Sequence, residues 1–144
     1  MDLLSDLLVL AKETKKPVVL HCRDFGSAEA VGHVLDLIRM LDMGDHIFHR
    51  HCFMGSVSEA QECTRCLSFV VFRISTKLFE NTSLQEVIRY VDLSRIVLET
   101  DSPYLADRPT TLIAIAEEVG RLKGISLKEV LCATRRNTDR VYER

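Results

Sequence analysis

Apolar positions along the chain follow two alternating rhythms. Leu3, Leu4, Leu7, Leu8 and Leu10 recur at helical spacing as far as Ala11, and Lys15-Lys16-Pro17 closes that segment. Val18-Val19-Leu20 is a short β-branched run of the kind buried in a parallel sheet. Ala28, Val31, Val34, Leu35 and Ile38 return to helical spacing, with Gly44 as the expected stop. Ile47 to Cys52 reads as a second strand. Ser56, with Glu59 three residues on, has the spacing of a capping box that opens a helix. Phe69 to Ile74 reads as a third strand. Ser83 with Glu86 opens a further helix to about Tyr90, and Ile96 to Asp101 reads as a fourth strand. Leu112, Ile113, Ala116, Val119 and Leu122 mark a helix closed by Gly124. Ser126 with Glu129 forms a third capping box, and a final helix is expected from near Arg135.

Regular alternation of strands and helices predicts an α/β fold with about four parallel strands joined by crossover helices. The length of 144 residues suits one domain. Asp plus Glu (21) slightly outnumber Lys plus Arg (19), which excludes a strongly basic nucleic-acid coat but not an enzyme that meets phosphate locally. No apolar run approaches the ~20 residues of a membrane span, and the first residues are acidic rather than basic. Five cysteines, an odd count, argue against a disulfide scaffold. They point to free thiols in a reducing cytoplasmic or nuclear compartment. Cys63 and Cys66 form one CxxC, but no second pair completes a zinc-finger spacing.

In parallel sheets the chemistry gathers at the carboxyl ends of the strands. The first predicted strand ends in His21 and Arg23, the second in His49, Arg50 and His51, and the fourth in Glu99 and Asp101. The third, with Arg73 and Lys77 near its end, brings no obvious ligand. Imidazole and carboxylate suit Zn²⁺, Mn²⁺ or Mg²⁺. A metal so held activates water and polarises a phosphoryl oxygen. Alternation along a strand points His49 the same way as His51, and Glu99 the same way as Asp101. Arg23 shares the parity of His21, where its guanidinium could meet a substrate phosphate or pair with Asp24 or Glu29. Cys22 and Cys52 have the opposite parity and are expected in the core. Arg121, Lys123, Arg135 and Arg136 read as a solvated helix face.

Three segments carry a family resemblance: Pro17-Val18-Val19-Leu20-His21-Cys22-Arg23-Asp24, His51-Cys52-Phe53-Met54-Gly55-Ser56 and Glu99-Thr100-Asp101-Ser102-Pro103-Tyr104. Together with the tail Asn137-Thr138-Asp139-Arg140-Val141-Tyr142, they resemble the TatD family of metal-dependent deoxyribonucleases. The His49-Arg50-His51 variant is similar to the animal branch of that family. The resemblance implies a TIM-type (β/α)₈ barrel of amidohydrolase type with two divalent metals. It implies that His21, His51 and Asp101 are metal ligands, with Asp101 also the base or water-orienting group. It implies cleavage of DNA, often as a 3′-to-5′ exonuclease on single strands, with some of the animal branch acting on RNA. Under it the second and fourth predicted strands would be the sixth and eighth of the barrel. His49 and Glu99 would then share a layer beneath the metal and hydrogen-bond there as supports.

The sequence departs from the family pattern in two segments. The paired histidines of the family's first strand and the metal-bridging Glu of its fourth are not in this sequence. A closed barrel needs at least ~200 residues, so residues 1–144 are expected to form the C-terminal half, family strands five to eight. With those ligands absent, at most one ion is expected, shared by His21, His51 and Asp101. Nuclease activity is then expected to be weak or absent. Unpaired sheet edges lead to an expectation of self-association or pairing with a complementary half-barrel. The rival reading is a catalytically dead truncated homologue that acts only through a protein partner. A third keeps the metal and changes the substrate.

Overall fold

The computed structural model describes residues 3–22 and 29–142. The alternation predicted from the sequence is realised. Helix α1 (Leu3–Thr14) precedes β1 (Val18–Leu20), α2 (Glu29–Met40), β2 (Ile47–Arg50), α3 (Val57–Cys66) and β3 (Phe69–Ile74). Then come α4 (Thr82–Tyr90), β4 (Ile96–Leu98), α5 (Leu112–Lys123) and α6 (Leu127–Tyr142). All neighbouring strands are parallel and follow chain order, β1-β2-β3-β4. The register aligns Val19, His49 and Val71 across three strands, and Arg73 with Val97.

The sheet has two unlike faces, because successive side chains point to opposite sides. Leu20, Phe48, Val70, Phe72, Ile74 and Ile96 pack beneath the helices in the main core, with Ile38, Leu84, Ile88 and Val119. On the other face Val71 and Val97 meet Val141 of α6 in a small second cluster flanked by Ile47. Alternation puts Val19, His49, Arg73 and Glu99 on this second face. The candidate chemistry uses this second face. Asn137 ties α6 to the start of β4: its Nδ2 donates to Leu93 O at 2.8 Å and to Ile96 O at 2.7 Å.

Several element ends differ from the sequence reading. Helix α2 stops at Met40 rather than running to Gly44. Asp42 takes the left-handed conformation (φ 51°), and the Met43 N–H returns to Ile38 O at 3.1 Å. Asp can adopt this conformation as well as Gly. The cap of α4 is Asn81, whose Oδ1 accepts from the Leu84 N–H at 3.0 Å, and not Ser83. Helix α6 is continuous from Leu127, so no separate helix begins near Arg135. The capping box there is reciprocal: Ser126 Oγ accepts from the Glu129 N–H, and Glu129 Oε2 accepts from the Ser126 N–H. Strands β2 and β4 end earlier than Cys52 and Asp101 because the chain turns sharply there.

Candidate metal centre

Two sharp turns build the site. After β2, the His51 N–H still reaches Leu20 O of β1 at 3.0 Å. Cys52 then adopts a left-handed conformation (φ 42°), and its N–H leaves the ladder for Glu99 Oε1 at 2.9 Å. The next residue, Phe53, rejoins β3 through Arg73 O at 3.0 Å. A β-carbon at Cys52 makes this turn costly, on the order of 1–3 kcal/mol. The surrounding bonds over-determine it. After β4, the Glu99 N–H extends the ladder to Ile74 O at 2.9 Å, and Asp101 turns with φ 47°. The Asp101 carbonyl accepts from the N–H groups of Tyr104 (2.7 Å) and Leu105 (3.0 Å), which holds that turn.

These turns bring His51, Glu99 and Asp101 together. One ligand atom from each lies within 4.8 Å of the others. His51 Nε2 is 3.3 Å from Glu99 Oε2 and 3.4 Å from Asp101 Oδ1. Burial holds the His51 imidazole below its usual range against the pull of Asp101, so it stays neutral with a lone pair to offer. Glu99 is buried, and desolvation pushes its carboxyl up to about 7. The Arg73 guanidinium opposes that rise and the Asp101 charge adds to it. Glu99 Oε2 touches Arg73 Nε as an ion pair, yet no hydrogen bond of good geometry satisfies it. An under-satisfied buried carboxylate oxygen, a second carboxylate and a neutral imidazole converging on one point suit a divalent cation.

The predicted residues fare differently. His51 and Asp101 meet as expected. Glu99 was expected beneath the metal but offers an oxygen to the cluster itself. His21 stands beside it, with its ring centroid 4.9 Å from that of His51, but is not among the three. The expected hydrogen bond between His49 and Glu99 is not formed. His49 Nδ1 instead meets the Tyr142 hydroxyl, and its buried Nε2 has no hydrogen-bond partner. The reason is that Glu99 is already engaged by the Cys52 N–H and Arg73, while α6 brings Tyr142 over the strand that carries His49. Arg23 lies outside the described residues. Arg50 faces the helices, where it pairs with Glu59 and lies over the Phe53 ring. Arg73 and Tyr142 were not among the predicted site residues.

The thiols take no part in the cluster. Cys63 is buried in α3, and desolvation pushes its thiol up to about 12. Cys132 is exposed on α6. Timed alkylation at pH 8 should therefore modify Cys132 first and Cys63 last, and equal rates would contradict this burial. Between pH 9 and about 12 the folded thiol keeps a proton that the unfolded one loses. Cys63 therefore makes the fold less stable as pH rises above 9.

An open parallel α/β sheet with a His-carboxylate cluster at its carboxyl ends is an arrangement suited to metal-dependent hydrolysis. The profile of one protein family, described as TatD related DNase, matches residues 1–143. The chain belongs to that family. The human protein named 3′-5′ RNA nuclease TATDN2 is 30% identical over 148 residues, covering 94% of this chain and 19% of the relative. A Bacillus subtilis protein named as an uncharacterized metal-dependent hydrolase, YabD, is 24% identical over 159 residues, covering 98% of this chain and 56% of the relative. The crystal structure of a TatD family hydrolase from Entamoeba histolytica superposes with a TM-score of 0.82 at 19% identity. It covers 95% of this chain and 54% of that one. The chain thus spans about half the length of these relatives, or less.

Proposed function

We propose that this chain carries a metal-dependent phosphodiesterase site acting on nucleic acid, DNA and also RNA, by 3′-to-5′ removal of nucleotides. The observation that carries the reading is the convergence of His51, Glu99 and Asp101 at the ends of β2 and β4 in a member of the TatD family. The relative named as an RNA nuclease supports the RNA arm, and the family description supports the DNA arm. One divalent ion, Mg²⁺, Mn²⁺ or Zn²⁺, would be held by His51, Asp101 and Glu99, with His21 adjacent. When bound, such an ion lowers the pKa of a water and polarises a phosphoryl oxygen. Asp101 would hold the ion through one carboxylate oxygen and, through the other, orient the attacking water and take its proton. Its side chain is only partly exposed, which limits competing solvent. Arg23 remains a proposed phosphate contact from its place after β1. With ligands from only two strand ends in the cluster, the reaction is slow.

The test uses end-labelled single-stranded DNA, RNA and a small carboxylic ester, each with Mg²⁺ or Mn²⁺ and with chelator. Metal-dependent shortening of the two nucleic acids from the 3′ end is expected. Cleavage of the ester alone would move the site to another hydrolytic reaction. No cleavage of any substrate would favour the dead-homologue reading.

The open sheet supports a second proposal, that the chain self-associates or pairs with a complementary half-barrel. Val19 on β1 is 48% exposed, and the exposed Leu4 and Leu7 of α1 line the same hollow. Edge strands with apolar neighbours recruit further strands. Sedimentation of the chain alone should show a dimer or larger species, and a monodisperse monomer would contradict this. No helix among the described residues is long and apolar enough to cross a membrane. Five free cysteines support a reducing cytoplasmic or nuclear setting.

A further inference from the structure

Arg73 lies near the carboxyl end of β3 on the second face of the sheet, between the strands that supply His51 and Glu99. Its Nε pairs with Glu99. Its side chain is 34% exposed, against 0% for Glu99. Among the described residues Glu99 is its one ion-pair partner, and its Nη1 and Nη2 donate no hydrogen bond there. If Arg73 served only to neutralise Glu99, both groups would be expected to be buried and fully bonded. Instead the guanidinium is used at Nε by a carboxylate of the metal cluster while a third of its side chain stays exposed.

We propose that Arg73 is a substrate-binding residue that grips a phosphate oxygen through its free Nη edge while Nε holds Glu99 in place. The planar fork of Arg serves two anions at once, which a point charge cannot do. Beside Arg23, a second cation for the phosphate would then come from β3, which supplies no residue of the His51–Glu99–Asp101 cluster. This inference deepens the phosphodiesterase reading and rests on it.

The test needs no turnover. The whole chain in excess chelator is titrated with inorganic phosphate by calorimetry, as wild type, Arg73→Lys and Arg73→Met. A separate Mn²⁺ titration of the wild type is run without chelator. Phosphate affinity is expected to fall at least about tenfold in Arg73→Met, the size of a lost charge-assisted hydrogen bond. Arg73→Lys should also bind more weakly than wild type, because its single ammonium stays on Glu99. Should Arg73→Met lose its circular dichroism, Arg73→Lys decides alone. Equal phosphate affinity in wild type and Arg73→Lys, or no phosphate binding by wild type, would overturn the assignment. Failure of wild type to bind Mn²⁺ would instead overturn the metal-site reading, whatever the phosphate result.

Discussion

Asp101→Asn should lower metal-dependent cleavage of single-stranded DNA by at least about 100-fold, the usual contribution of a positioned general base. The amide keeps the shape and the turn, since Tyr104 and Leu105 bond the Asp101 backbone carbonyl and not its side chain. It removes the negative charge 3.4 Å from His51 Nε2 and the oxygen that would take a proton. The melting temperature should therefore stay close to wild type while activity is lost. Retention of more than a tenth of the activity would mean that another group does this work.

Phe72→Ala carries the largest expected effect on stability, about 3–5 kcal/mol. Phe72 has no exposed surface, lies at the centre of β3 and meets the Phe53 ring edge-on with centroids 4.8 Å apart. Small domains have ~5–15 kcal/mol in all, so this one change brings the fold near its limit. It also reaches the site. Phe53 follows Cys52, whose N–H holds Glu99, so a cavity beside Phe53 loosens that turn. Urea unfolding should show the midpoint fall sharply, with Ile74→Val as a mild control costing about 1 kcal/mol. A midpoint shift for Phe72→Ala no larger than that of the control would contradict the packing described.

Much of the architecture is legible in periodicity. Val18–Leu20 and Phe69–Ile74 emerge as strands with the predicted bounds, because short β-branched runs between turns have few other uses. Gly124 (φ 68°) and the Ser126–Glu129 pair mark helix ends as expected, since their signals are local. Where a non-local contact or a non-glycine turn decides, the pattern is silent. Asp42 replaces Gly44 as the stop of α2 for this reason, and Asn81 rather than Ser83 caps α4.

The candidate site divides in the same way. His51 and Asp101 are readable as strand-end residues of a type that binds metal. The promotion of Glu99 into the cluster is not, because it depends on the Cys52 backbone turning its N–H across the sheet. Nor is the engagement of His49, which hangs on Tyr142 arriving from 93 residues away. Arg73 carries no metal-ligand signal in the sequence, because arginine is no metal ligand. Its importance lies in sharing a face with Glu99, which becomes visible only when β3 and β4 pair with Arg73 opposite Val97.

Mn²⁺ binding followed by electron paramagnetic resonance reads out whether His51, Glu99 and Asp101 form one divalent cation site. One ion per chain should bind to wild type, with affinity at least about 100-fold weaker in His51→Ala, at or beyond the upper range for loss of a supporting group. No bound ion at millimolar Mn²⁺, or equal binding in His51→Ala, would contradict it.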